Sequence, residues 1–455
     1  MRFLTSVFLS PRFTVENNRA YTVGLYTLGC KVSQYETEAI REGFIDRGFE
    51  ARSFEEKCDV YVVNTCTVTR ESDRKSRQII RRAIKKNPDA IVAVVGCYTQ
   101  RTPDEVAEID GVDIVLGTDK KMSVIPLAID MLEGRLTGKT VSVTDVNTAT
   151  FEPMTIRTAE RTRAYLKIED GCESRCTYCA ISDARGRVRS KPKDDVIAEV
   201  ESLAATGIRE IVLTGIETGS YGRDFDYDYD LGDLIAELDK RGSCERIRLG
   251  SLAPELVGEK FVDKIKDVKI LAPHFHISMQ SGSDNVLRSM KRRYTVARAV
   301  ENIERLRAAF PGANFTTDLM VGFPGESEED FLLTVDFARR VGLLDAHVFA
   351  YSRRTGTPAA SYPDQIPEDV KRERSERLIV AKNEVRDAVL DATVALGEPL
   401  DVIVETKNAD GTYTAHSDSY VEVVFSAPGC KNLQGERLKV TPVSHKNGIV
   451  LCEIV

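Results

Sequence analysis

The sequence predicts an α/β protein: an N-terminal α/β domain on a parallel sheet, a central partial (βα)6 barrel, and a small C-terminal all-β barrel. Three observations carry this. Val-, Ile- and Tyr-rich strands alternate with amphipathic helices over residues 21–118, at a pitch that suits parallel pairing. The rhythm resumes after residue 163 for six strands in succession. Beyond residue 399 it gives way to short strands separated by turn signals.

In the first region Tyr21–Leu28, Val60–Asn64, Ile91–Val95 and Asp113–Leu116 read as strands. Gln34–Arg47 and Glu71–Lys86 carry helical spacing, and the second stops at Asn87-Pro88. A polar connection follows (141–163). The next strands are Tyr165–Ile168, Glu210–Leu213, Arg246–Leu249, His274–Ser278, Phe315–Met320 and Ala346–Ala350. They alternate with helices near Asp195–Ala205, Leu231–Lys240, Pro254–Lys266, Val296–Ala309 and Glu328–Arg340, which places chemistry at the carboxyl ends of the strands. A charged helix spans Glu368 to Leu396, and Asp410-Gly411, Pro428-Gly429 and Asn447-Gly448 punctuate the tail. The expected boundaries are an extension (1–20), a first domain (21–140), a linker (141–163), a barrel domain (164–388, its core ending near 360) and a tail domain (389–455).

A chain of 455 residues and 50.6 kDa is long enough for about three domains of ~150 residues. Its 42% hydrophobic and 29% charged residues are those of an ordinary globular protein and argue against disorder. No apolar run approaches the ~18 residues of a membrane span, and Leu4–Leu9 is too short for a signal peptide. Residues 1–20 read as a loose extension or an early start codon. A cytoplasmic protein is expected. With 63 basic against 71 acidic residues, the net charge of −8 leaves any nucleic-acid contact to local patches.

Ten cysteines are too sparse for a disulfide scaffold, and clustered thiols in a reducing compartment point to metal or catalysis. Cys172, Cys176 and Cys179 form a C-x3-C-x2-C triplet directly after the first barrel strand. Such a loop can place three thiolates around one iron–sulfur cube and leave one iron without a protein ligand. Its competitors are a zinc site lacking a fourth ligand and three ordinary thiols. Cys30, Cys66 and Cys97 each follow a different strand of the first domain. Ligands gather at that edge of open α/β sheets, and strands ~4.8 Å apart can bring three tips to one small site. Three buried apolar cysteines are the plain alternative. Cys58, Cys244, Cys430 and Cys452 lack partner spacing and read as structural.

The triplet, with Tyr178 before its third cysteine, resembles the radical S-adenosylmethionine (SAM) superfamily. Leu28-Gly-Cys-Lys-Val-Ser-Gln-Tyr-Glu36, Asn64-Thr-Cys-Thr-Val-Thr69 and Gly96-Cys-Tyr-Thr-Gln100 resemble its methylthiotransferases. So do Met279-Gln-Ser-Gly-Ser-Asp284, Lys291-Arg-Arg-Tyr-Thr295, Asp318-Leu-Met-Val-Gly-Phe-Pro-Gly-Glu326 and Phe349-Ala-Tyr-Ser-Arg-Arg-Thr-Gly-Thr-Pro358. The likeness extends over residues 21 to 455 and includes a tail similar to the RNA-binding TRAM module. The forms around Cys30, Cys66 and Cys97 look like the MtaB type. The resemblance implies methylthiolation of N6-threonylcarbamoyladenosine at carbon 2, at the adenosine-37 beside the anticodon of tRNA. Ser33, Ala180-Ile-Ser182 and Ser251-Leu-Ala-Pro-Glu255 depart from the common pattern, and none removes a cysteine of either trio.

The resemblance implies two 4Fe-4S clusters and SAM as cofactors, SAM serving as methyl donor and as source of a 5′-deoxyadenosyl radical. Cys172, Cys176 and Cys179 would hold the radical cluster, and Cys30, Cys66 and Cys97 the sulfur-supplying one. Tyr178, Gly215, Glu217, Gln280, Ser281 and Gly322 are the expected SAM contacts, although Gly and Ser there could simply make βα turns. Expected partners are the tRNA anticodon stem-loop, an electron donor such as flavodoxin or ferredoxin, and a sulfur donor. No membrane is involved and the protein is expected to be a monomer. Three basic stripes could neutralise phosphates or be solvated faces: Arg70 to Lys86, Arg185 to Lys193, and Lys291 to Arg293. The competing functions are a RimO-type enzyme modifying a ribosomal-protein aspartate, a non-catalytic iron–sulfur RNA-binding protein, and a zinc scaffold.

Overall fold

The computed structural model of the chain describes residues 19–159, 162–430 and 432–455. The expected extension therefore lies outside the described residues up to position 18. The chain forms two compact units: residues through Ile156 together with Asp183–Gly186, and the remainder.

The first unit is built on a six-stranded sheet, β1 (Thr22–Thr27), β2 (Glu50–Arg52), β3 (Val60–Thr65), β4 (Ile91–Gly96), β5 (Ile114–Leu116) and β6 (Thr140–Ser142). Its order is β2-β1-β3-β4-β5-β6 and every pairing is parallel. β3 and β4 are buried along their whole length, and successive side chains serve opposite faces. Val60, Val62, Ile91, Ala93 and Val95 pack with the helices Lys31–Asp46 and Val124–Leu132, through Ile40, Phe44, Val124 and Ile125. Tyr61, Val63, Val92 and Val94 pack on Ile80 and Ala83 of the helix Arg70–Lys86. That helix starts where the Thr69 hydroxyl accepts the Ser72 N–H at 3.1 Å. β2 and β6 are short strands that periodicity did not reveal, and β6 occupies the start of the expected polar linker.

In the second unit the strands β7 (Arg163–Lys167), β10 (Glu210–Thr214), β11 (Arg246–Leu249), β12 (Ser251–Leu252), β13 (His274–Gln280), β14 (Asn314–Val321) and β15 (Asp345–Ala350) are all parallel. They form two adjoining sheets, β11-β10-β7 and β12-β13-β14-β15, joined in sequence through Gly250. This is the expected partial barrel. A short antiparallel pair, β8 (Glu169–Asp170) with β9 (Arg189–Ser190), flanks the triplet loop. The helix Glu368–Leu396 leads to five strands, β16 (Leu400–Lys407), β17 (Thr412–Ser417), β18 (Glu422–Ser426), β19 (Arg437–Lys446) and β20 (Ile449–Ile454). They close into a barrel around Val402, Val404, Tyr413, Val423, Phe425 and Val450.

This small barrel plugs the amino end of the large one. Arg163, Glu210, Arg246 and His274 all begin parallel strands. Arg248 donates to both oxygens of Glu210, each at 2.9 Å, and to the carbonyls of Ser417 and Asp418 at 3.1 and 2.9 Å. Arg246 joins Glu210 (3.4 Å) to Asp401 (2.8 Å), and Arg163 pairs with Glu210 and Glu405. Tyr420 stacks on His274 with ring centroids 4.3 Å apart. Burial opposes ionisation of Glu210, but the charges of Arg248, Arg163 and Arg246 outweigh it and bring its carboxyl down to about 2. Chemistry is thereby confined to the opposite, carboxyl ends of the strands.

Replacing Glu210 by Gln leaves three guanidiniums crowded in a buried site and is expected to cost about 3 kcal/mol. Because the folded carboxyl titrates below an ordinary glutamate, its contribution is complete above pH about 4.5 and fades as pH falls toward about 2. Urea titrations of wild type and E210Q followed by circular dichroism should converge over that interval.

Candidate functional site

The tips of β1, β3 and β4, three neighbours in the first sheet, carry the first cysteine trio. Cys30 is the residue before the helix Lys31–Asp46, Cys66 follows β3, and Cys97 opens the short helix Cys97–Arg101. Two glycines permit the approach. Gly29 has φ +117°, and a Cβ there would lie 3.2 Å from the Cβ of Cys66. Gly96 has φ +111°, and a Cβ would strike the Thr65 carbonyl oxygen at 2.6 Å. Burial, and then the neighbouring Cys97 and Cys30 sulfurs, push the Cys66 thiol up to about 11. Burial also raises Cys97, against the opposing pull of the Arg185 and Lys121 cations.

Those cations form a buried group beside Cys97. Arg185 grips Glu36 with two N–H donors at 2.6 and 3.1 Å, and its Nε–H points at the Cys97 sulfur at 3.2 Å. Lys121 also pairs with Glu36, and Asn64 ties the group to the helix through the Ser33 carbonyl at 3.0 Å. All three charged side chains are fully buried.

The second trio sits in the loop after β7 and β8. Gly171 (φ +91°) and Arg175 (φ +47°) turn the loop that carries Cys172, Cys176 and Cys179, and the Cys176 sulfur lies close enough to raise the other two. Burial pushes the Cys172 thiol up to about 11, with Glu217 and Cys176 adding to it. It pushes Cys179 up to about 12, with Cys176 and Cys172 adding. The Ile181 N–H donates to the Cys179 sulfur at 3.4 Å. Arg292 donates to the Cys176 sulfur at 3.3 Å, while its other N–H groups hold the Ser278 carbonyl (2.8 Å) and the Tyr294 hydroxyl (3.0 Å). Among the described residues no Cys, His, Asp or Glu trio closes around a single-ion position. Grouped thiols, one in each trio accepting an N–H from a guanidinium, suit an iron–sulfur cube, which takes its cysteines as thiolates and releases their protons.

Around the second trio lie buried carboxyls. One oxygen of Glu169 accepts the Glu217 N–H at 2.8 Å, while its other oxygen is buried without a hydrogen-bond partner. Glu217 accepts the Ala253 N–H at 3.1 Å, and one oxygen of Glu255 is also unsatisfied. Burial raises Glu169 well above the usual carboxyl range and brings Glu217 up to about 7, where Glu255 adds to it and Arg292 opposes it. Unsatisfied carboxylate oxygens suit a ligand carrying an ammonium and a sulfonium, as SAM does.

Of the residues expected to touch SAM, Gly215 packs against Glu169, and a Cβ there would lie 2.4 Å from its Oε2. Gln280 is buried with φ +68°, in a register shift between β13 and β14, a strained conformation of the kind found at ligand sites. Tyr178 rests on the apolar cluster of Met290, Met320 and Phe323. Ser281 bonds to Thr334 (3.2 Å) and to the Ser283 N–H (3.1 Å). Gly322 donates to Glu326 at 2.7 Å, and a Cβ there would meet Lys371.

The basic stripes divide. Arg70, Arg74, Lys75, Arg81, Arg82 and Lys85 are exposed along the helix Arg70–Lys86. In the stripe from Arg185, Arg185, Arg189 and Lys191 are buried and paired with Glu36, Asp170 and Glu199, which leaves Arg187 exposed and Lys193 half-buried. Arg292 likewise belongs to the cysteine loop. Sequence reading missed Glu169 and the use of Arg185 and Arg292 on sulfur. A glutamate three residues before Cys172 was the available signal for the first; nothing local distinguished the arginines.

Gly96→Ala is expected to separate the β3 and β4 tips, remove about half of the iron bound after anaerobic reconstitution, and leave the circular dichroism spectrum unchanged. Iron analysis of wild type and variant checks this.

Residues 166–338 match the radical SAM superfamily, and residues 22–117 match the uncharacterized protein family UPF0004. The threonylcarbamoyladenosine tRNA methylthiotransferase MtaB of Bacillus subtilis is 41% identical over 92% of this chain and 93% of its own. That of Thermotoga maritima is 34% identical over 95% and 96%. A tRNA-2-methylthio-N(6)-dimethylallyladenosine synthase of Acetivibrio thermocellus is 31% identical over 92% and 88%. In fold, the chain is similar to the radical SAM methyltransferase TsrM of Kitasatospora setae, with a TM-score of 0.57 at 19% identity over 75% of this chain and 77% of that one. The chain belongs to the radical SAM methylthiotransferase family, and within it to the MtaB type.

Proposed function

We propose that the protein replaces the C2–H bond of N6-threonylcarbamoyladenosine in tRNA by a C–SCH3 group. What carries the reading is the presence, in one chain, of two separate thiol trios at the carboxyl ends of parallel strands, in a chain 41% identical to a tRNA methylthiotransferase of this substrate.

Cys172, Cys176 and Cys179 would hold one 4Fe-4S cluster, and Cys30, Cys66 and Cys97 the other. When bound, the clusters and SAM supply one-electron cleavage of SAM, a sulfur atom and its methyl group. Glu169, Glu217 and Glu255 provide the negative charge for the cationic end of SAM, and Gly215 leaves room beside Glu169. The loop of Gln280 and Ser281 and the turn at Gly322 complete the SAM pocket in this reading. Tyr178 and the apolar cluster beneath it exclude water from the Cys176–Cys179 side. The exposed cations of the helix Arg70–Lys86 and the C-terminal barrel are the surfaces offered to the anticodon stem-loop, by phosphate contacts that carry no sequence information. A small one-electron carrier such as flavodoxin or ferredoxin, and a separate sulfur donor, complete the cycle, which a monomer can perform. No helix among the described residues is long and apolar enough to cross a membrane.

Mass spectrometry of tRNA nucleosides from a strain lacking the gene tests this. The 2-methylthio derivative of threonylcarbamoyladenosine should disappear and return with wild type, but not with Cys66→Ala or Cys176→Ala. Persistence of the derivative in the deletion strain contradicts the assignment.

A further inference from the structure

Each cysteine trio is approached by one arginine whose remaining donors are anchored elsewhere. In the first unit Arg185 is fully buried, held by both oxygens of Glu36, and directs Nε–H to the Cys97 sulfur at 3.2 Å. In the second unit Arg292 is held by the Ser278 carbonyl and by Tyr294, whose hydroxyl donates to the Met279 carbonyl at 2.6 Å. Its Nη1–H reaches the Cys176 sulfur at 3.3 Å. Neither guanidinium is placed to meet a phosphate, and each directs one N–H to a sulfur. Both positions follow local geometry that fixes them. Arg185 is followed by Gly186 (φ +72°), where a Cβ would strike the Val146 carbonyl at 2.4 Å. Arg292 follows Lys291 at φ +57°.

We infer that Arg185 and Arg292 are positioning residues that set the reduction potentials of the two iron–sulfur clusters independently, each by a charge-assisted hydrogen bond to one cysteine sulfur. The inference rests on the two-cluster reading above. A fixed positive charge and an N–H donor at a ligating sulfur both stabilise the form that carries one more electron, and so raise the potential. Each cluster takes up one electron in this step, delivered by the mediator dye of the titration or by the physiological donor, and no bond is made or broken.

The test uses full-length, anaerobically reconstituted protein in two backgrounds. One carries Cys172, Cys176 and Cys179 all changed to Ala, and the other Cys30, Cys66 and Cys97 all changed to Ala. Into each are placed Arg185→Gln, Arg185→Lys, Arg292→Gln and Arg292→Lys, and the midpoint is read by electron paramagnetic resonance in a mediated titration. Arg185→Gln should lower the ratio of reduced to oxidised cluster about tenfold at a fixed ambient potential, or about 59 mV for one electron, in the first background only. Arg292→Gln should do the same in the second background only, and each Lys variant should recover part of the shift. An unchanged midpoint in a Gln variant that keeps its iron overturns the inference. So does loss of iron or fold in both the Gln and the Lys variant of one arginine, which makes that residue structural. Failure of either parent background to bind iron contradicts the two-cluster reading itself, and is seen before any arginine is changed.

Discussion

A thiol buried among apolar side chains resists giving up its proton, and this constraint acts on buried cysteines in both units. Cys66, Cys172 and Cys179 are all pushed upward by burial, reinforced by the sulfurs beside them. The thiols gathered in each set are costly as anions without a metal and poorly satisfied as neutral groups. The surrounding architecture manages that cost with backbone donors and anchored guanidiniums. Cysteines that served only as core would not need them. The same logic extends to Glu169 and Glu217, whose carboxyls burial pushes upward and a cationic ligand would bring down.

The parallel strands are what make the trios possible. Cys66 and Cys97 directly follow β3 and β4, strands buried along their whole length, so their backbone positions are fixed by packing far from the sulfur, whereas Cys30 follows the half-buried β1 and is exposed. Close approach is then set by glycines at the tips, where Gly29 and Gly96 adopt conformations that a side chain would strain. In the second unit the amino end of the barrel is closed by a charged plug centred on Glu210, and its carboxyl end is left for chemistry. Rigidity below and open loops above is a division common to barrels of this kind.

Much of this was legible in the sequence, because burial leaves periodic traces. Val60–Asn64 and Ile91–Val95 read as strands, and both lie in strands buried along their whole length, Val60–Thr65 and Ile91–Gly96. β2 and β6 escaped because three residues are too few to show a period. The cysteine sets were visible as a spacing and as a recurrence at strand ends. Charge was less readable. Arg185, Arg189 and Lys191 look in sequence like any solvated stripe, and only the fold reveals that Glu36, Asp170 and Glu199, up to 149 residues away, meet them in the interior. For Arg185 the partner lies 149 residues away, and no local window contains that information.

The account stands on two cubes carried by two independent sets of ligands. Iron and acid-labile sulfide, measured per chain after anaerobic reconstitution, address it most directly. About eight of each are expected for wild type, and about four for a variant lacking either trio. Eight retained without Cys30, Cys66 and Cys97, or four in the wild type itself, would contradict it.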